Sequence, residues 1–339
     1  MLRAPWRLVT PGRLLIVGLL LLVVVAALWV LPSNEYILLP DRAHPAAPLV
    51  HVQGGHNPKG SGGIYFVDVF ERKASLLERL FPGIDNGATL YPASEIVPAG
   101  ETSSQQTSVS EEEMHMSQQV AAVVALRSLG RKVITEETGA SVVAVADGYP
   151  AAGQLLPDDV IVAVDGRPVN SPAGLETAMT GKVPGTLVTF TVVRAGERQT
   201  VKLRTVPASK GSHHGIVGIE VVPAEQFKLP LRVSIDAHGV GGPSAGLAFA
   251  LEILEQLGHN VDHGRKIAAT GEISPNGQVS AIGGIEQKTI GAREAGVDAF
   301  LVPVDNAADA EKYAHGLRIV PVKNFQQALH FLATLPKAG

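Results

Sequence analysis

The sequence contains no cysteine, which excludes disulfide frameworks, thiol nucleophiles and cysteine-bound metals. It also lacks charge imbalance: 28 Lys and Arg stand against 32 Asp and Glu, a net charge of -4. A nucleic-acid binder ordinarily carries a clustered basic excess, so no such partner is expected. No G-x-x-x-x-G-K-[ST] run occurs, so these 339 residues bring no P-loop ATPase. H-E-x-x-H is missing too. His213, His214, His238, His259 and His263 follow no ligand spacing and read as surface residues, and neither metal nor cofactor is expected.

One long apolar run is present. Residues 14–31 hold no charge, and Arg3, Arg7 and Arg13 precede them. As a helix the run would cover roughly 27 Å, close to a bilayer core. With all three arginines on its N-terminal side, the positive-inside rule predicts a single-pass cell-membrane anchor, a cytoplasmic N-terminus over 1–13 and an extracytoplasmic remainder. A cleaved signal peptide is the competing reading, weakened by the apolar Leu-Trp-Val-Leu (28–31) after the passable site at 25–27.

The apolar content of 45% allows two or three packed domains. Residues 32–61, rich in Pro, Gly and His, read as linker and lead-in. "GGIYFVDVF" (62–70) has strand composition, and "ETSSQQTSVSEEE" (101–113) reads as a polar loop. Met116, Val120, Val123 and Val124 then repeat at helical spacing up to Gly130. Over 131–207 short strands alternate with turn signals, including a hairpin at Ala195-Gly196. This stretch resembles the PDZ domains of bacterial proteases through Gly148-Tyr149-Pro150-Ala151-Ala152, Leu155 to Ile161, and Val164-Asp165-Gly166. Asp158 stands where that family usually has glycine, in a turn that aspartate tolerates. The resemblance implies peptide or protein partners held in a PDZ groove by strand addition. "EETGA" (136–140) is the candidate carboxylate-binding loop.

Farther on, "GVGGPSAG" joins a strand to the apolar run 247–257. Ser244 there is either a nucleophile on a glycine turn or a helix cap. Gly242 and Gly246 permit close backbone approach, Pro243 fixes the turn, and amides from Gly242 to Ala245 are candidate oxyanion donors. Lys288 bears on that choice. In "IEQKTIGAREAG" it shares a helical face with Ile285, Gly291, Ala292 and Ala295, while Glu286, Gln287, Arg293 and Glu294 take the other side. A lysine on such a face either snorkels to water or is desolvated, its pKa falling until it can act as a base.

These stretches resemble the proteolytic domain of Lon-type serine–lysine endopeptidases. The resemblance rests on 242–246, Ala269-Thr270-Gly271-Glu272-Ile273, 277–279 with 282–288, and 292–296. It implies Ser244 as nucleophile, Lys288 as general base and Thr270 as the hydroxyl that helps hold the lysine. Lon proteins usually carry Lys-Asp-Gly before the serine turn, where this chain has Val240-Gly241-Gly242, so any role of that aspartate is absent. A fainter resemblance, through "GGIYFVDVF" and the Met-x-x-Ser start at Met114–Ser117, extends the domain upstream. The whole resembles the PDZ-containing Lon-like proteases of bacterial cell surfaces. The expected fold is therefore α+β: anchor 14–31, lead-in 32–61, first part of the proteolytic domain 62–130, inserted PDZ 131–207, and catalytic part 208–339. The expected activity is ATP-independent serine endopeptidase action. Two alternatives are a PDZ scaffold with an inactive protease-like domain, and a Ser-His-acid hydrolase using Ser244 with His315 and Asp305.

Overall fold

The computed structural model describes residues 11–57, 62–96, 103–237 and 239–336. The fold is mixed α+β. One core is assembled from both ends of the chain. The strand Gly63–Phe66 lies parallel to Lys266–Ala269, which continues through Ala299–Pro303 to Arg318–Val322. Strands in this sheet read as apolar runs because both faces are covered. The helix Gly246–Gln256 packs on it, and the long helix Ser103–Ser128 packs on that helix in turn. Ile64, Phe66, Val120, Val124, Phe249, Ile267 and Leu301 meet in one cluster.

The second unit is a β-rich module with its own core, including Ala140, Leu155, Ile161, Phe190 and Leu203. Its hairpin pairs Leu187–Arg194 with Glu197–Arg204 across Ala195 and Gly196. Both turn residues have positive φ (49° and 76°), the type I′ geometry that matches strand twist. Asp158 takes the left-handed conformation at φ 68°. The edge strand of this sheet, Ile219–Lys228, lies beyond the expected module boundary at 207 and pairs with Ile134–Val145. Residues 136–140 belong to that pairing, so "EETGA" is strand and not a carboxylate-binding loop.

The expected membrane anchor over 14–31 needs correction: no helix among the described residues is long and apolar enough to cross a membrane. The N-terminal helix Pro11–Val30 stops at Val30, and a strand begins at Pro32. The helix end is tied to the globular part, where the Leu76 amide donates to the Leu31 carbonyl (2.9 Å). The single-pass topology and extracytoplasmic placement rested on that anchor and are withdrawn with it. Residues 1–10 lie outside the described residues.

Two local expectations also change. The stretch 32–61 holds strands: Pro32–Pro40 buries Tyr36, Ile37 and Leu38 between Val69–Ser75 and Thr89–Pro92. The polar tract 101–113 is helical from Ser103 onward, residues 101 and 102 lying outside the described residues.

Candidate active site

Ser244 sits in a single 3-10 turn, Pro243–Ala245, that runs directly into the buried helix Gly246–Gln256. Gly242 enters this turn with φ 78°, a conformation that a side chain would strain. Four contacts then lock the backbone. The Ser117 hydroxyl donates to the Pro243 carbonyl (2.8 Å), and the Gly242 amide donates to the Ser110 carbonyl (3.0 Å). The Ser244 carbonyl accepts from the Gly271 amide (2.8 Å) and from the Thr270 hydroxyl (3.2 Å). Gly246 is required by packing, since a Cβ there would lie 2.7 Å from Ser117 Oγ. Ser244 therefore does not cap the helix that follows it: no side-chain cap bond is made at that end.

Lys288 arrives from the helix Ile285–Glu294 and is 4% exposed. Its Nζ lies 2.7 Å from Ser244 Oγ. Burial pushes the ammonium down from its ordinary value to about 8, and the Asp68 carboxylate opposes that shift. A lysine poised there exists partly as the free amine near neutral pH and can accept a hydroxyl proton. The helix is buried on more sides than its sequence suggests. Gln287, expected on the open side, is 1% exposed and donates to the Gly87 carbonyl and the Thr89 hydroxyl (2.9 and 2.8 Å). The small sheet around Pro32–Pro40 covers that face.

The structure thus brings Ser244 and Lys288 together and sets Thr270 beside the serine backbone. The Thr270 hydroxyl, expected to hold the lysine, is instead given to the Ser244 carbonyl. Of the expected oxyanion donors, Gly242 spends its amide on Ser110 and Pro243 has none; Ala245 is buried in the turn. Asp305 and His315 are exposed at opposite ends of the helix Ala307–Ala314, about 12 Å of helix apart. They cannot form the acid–base pair of a Ser-His-acid triad. His213, His214 and His259 are exposed and His263 is partly so; His238 lies outside the described residues.

Asp68 was missed by the sequence reading. One of its carboxylate oxygens is buried with no hydrogen-bond partner. Burial and the neighbouring Asp41 carboxylate raise its pKa, while His44 and Lys288 lower it. The polar heads of Asp41, His44 and Asp68 lie within 4.8 Å of one another. Since His44 Nε2 is already spent on Asp41 (3.3 Å), the group reads as a charge network behind the lysine. A lone aspartate in "YFVDVF" carries no signal of this by itself.

Comparison with known proteins separates two regions. Residues 127–205 match the PDZ domain family, and residues 209–334 match the Lon protease (S16) C-terminal proteolytic domain. The chain thus joins a region similar to PDZ domains to a region similar to the proteolytic domain of Lon proteases. Lon protease 2 of Bacillus subtilis strain 168 is 36% identical over 97 residues, 29% of this chain and 17% of that protein. The mitochondrial Lon protease homolog of Drosophila melanogaster is 41% identical over 88 residues, 26% of this chain and 8% of its own length. The chain therefore spans under a fifth of these relatives. Among solved structures, the PDZ domain of an SdrC-like protein from Listeria monocytogenes is similar at 24% identity, covering 25% of this chain and 88% of that one, with a TM-score of 0.24.

Proposed function

We propose that the protein is an endopeptidase working through a Ser244–Lys288 dyad on peptide or protein substrates. The observation that carries this reading is the 2.7 Å approach of a buried Lys288 amine to Ser244 Oγ. As Oγ attacks a peptide carbonyl, its proton passes to Nζ. The lysine then hands that proton to the leaving amine as the C–N bond breaks. Water, deprotonated by the same lysine, hydrolyses the acyl-enzyme. Thr270, Gly271 and Ser117 act through the backbone, fixing where Oγ stands.

Two features support a proteolytic unit assembled from the chain on both sides of the inserted β-rich module, whose sheet runs on to Lys228 rather than ending at 207. Gly63–Phe66 pairs with Lys266–Ala269, and Ser117 reaches the serine turn. The module's edge strand Ile219–Lys228 supports a role in holding peptide or protein substrates by strand addition.

Degradation of an unstructured protein such as casein tests the reading. Folded Ser244→Ala and Lys288→Arg proteins should be inactive, because arginine stays protonated. His315→Ala should cleave at a rate within about threefold of the unsubstituted chain, as expected of a residue outside the reacting unit. Activity in Lys288→Arg would overturn the dyad; absence of any cleavage by the unsubstituted chain would favour the scaffold alternative.

A further inference from the structure

Lys288 gains a proton when Ser244 attacks, so something must accommodate an ammonium in a buried site. Ser244 cannot, since its oxygen has become an ester. The fold aims one acid at this place by two independent routes. Along the first, Gly63–Phe66 and Lys266–Ala269 run parallel with Phe66 opposite Ala269. Their C-terminal ends leave the sheet together, one delivering Asp68 and the other delivering Thr270 and Gly271, which hold Ser244. Along the second, the segment 41–44 docks on the lysine helix. The Ala43 amide donates to the Gly291 carbonyl (3.3 Å), and any Cβ at Gly291 would overlap the Asp41 backbone. Gly291 lies one turn beyond Lys288 on the same face. His44 pairs across the strand with Phe66, which sets Asp41 and His44 beside Asp68.

We propose that Asp68 is a positioning residue for the reaction: its carboxylate, flanked by Asp41 and His44, stabilises the Lys288 ammonium formed when Ser244 is acylated. The inference rests on the Ser244–Lys288 reading. No proton moves to Asp68. As the Oγ–C bond forms, the proton goes from Oγ to Nζ, and it leaves with the amine when the C–N bond breaks. Asp68 supplies the facing negative charge throughout, and its buried, unpartnered oxygen is the atom free to do so. From the lysine helix, Lys288 faces Asp68; from the 41–44 segment, Asp41 and His44 face it, with Arg42 on the exposed side. Asp68 raises the lysine pKa against the larger effect of burial.

The sign of the effect follows. Removing the carboxylate lowers the Lys288 pKa, so the acid limb of the rate profile moves to lower pH while the plateau falls. The experiment compares the full chain with Asp68→Asn and Asp68→Glu, using a fluorogenic peptide from pH 6 to 10. In parallel, the Lys288 side chain is titrated by NMR on isotope-labelled lysine in a Ser244→Ala background, assigned with Lys288→Arg. Asp68→Asn should move the kinetic and NMR midpoints down by about one pH unit. It should lower kcat by about tenfold with KM changed by less than about twofold, the mark of an interaction made in the transition state. Asp68→Glu should restore most of the midpoint. An unchanged NMR midpoint in folded Asp68→Asn overturns the inference even if activity falls, since that is a packing effect. If Asp68→Asn does not fold, the smaller neutral Asp68→Ser is read by the same two midpoints. Should the midpoint move while Lys288→Arg still cleaves, the dyad fails and the inference falls with it. If Lys288→Arg is inactive but the midpoint stays, only the role of Asp68 fails.

Discussion

Asp159 in the PDZ module and Lys288 beside Ser244 are both buried charged residues, and they are treated in opposite ways. Asp159 is 1% exposed and fully partnered. It receives two bonds from the Arg194 guanidinium (2.7 and 2.6 Å) and one from the Leu156 amide (3.0 Å). Lys288 is 4% exposed, and its short bond goes to a neutral hydroxyl. A charge with a partner on each of its oxygens holds a turn in place. One that is desolvated without a contact ion is held ready to change its protonation, which is what a base requires.

The comparison can be broken at either end. The largest effect is expected at the serine. Ser244→Ala and Lys288→Arg should each lower kcat/KM by about 10³-fold or more, and the double variant should be no worse, because the pair acts as a unit. Steady-state kinetics on one peptide reads this, and additive losses would separate the two residues.

At the PDZ end, Arg194→Ala leaves Asp159 buried and unpaired, which costs about 3–5 kcal/mol. Urea unfolding should show an early transition from the module. Cleavage of a short unstructured peptide should stay within about threefold, as expected for a site with no shared partners. Equal loss of both would tie the module to the catalytic core.

Lys288→Met should reverse the usual effect of a core substitution. A lysine pKa lowered from 10.5 to about 8 makes the native state bind the proton less tightly than the unfolded chain. Native stability is therefore reduced below pH 8 and recovers as pH rises from about 8 to 10.5. Replacing the lysine removes a penalty on the order of 3 kcal/mol at pH 7. The melting temperature should rise as activity disappears; a lower one would mean the lysine is well accommodated.

A smaller effect is expected at Glu252, fully buried on the serine helix, with one oxygen unpartnered. Burial raises its pKa to about 8. The native state thus holds a proton that the unfolded chain has lost, and stability falls as pH rises from the ordinary glutamate range toward 8. Glu252→Gln should flatten that decline, by a few kcal/mol at most, in thermal melts from pH 5 to 9. An unchanged slope would place the charge elsewhere.

Much of this was legible in the sequence where chemistry and periodicity agreed. The lysine helix was read from its apolar face, and its observed start at Ile285 follows from the same face. The serine turn was read from its glycines and proline. What escaped is tertiary. The buried triplet Tyr36-Ile37-Leu38 is short and surrounded by Pro, Gly and His, so it read as linker; only its two neighbouring strands make it core. Residues 103–113 have no apolar period and became helix as the start of an element packed on the serine helix. Asp68 gained meaning only when a parallel register set it beside strands more than 190 positions away. The apolar run near the N-terminus misled because its composition matches a membrane span while its helix ends at Val30.

The most direct test of the central claim is the pH profile of kcat/KM for the unsubstituted chain. If Lys288 is the base, the rate rises tenfold per pH unit on the acid side and levels through about 8, the value to which burial brings the lysine. A profile already flat from pH 6 upward would contradict the account, since Lys288 would still be largely protonated there.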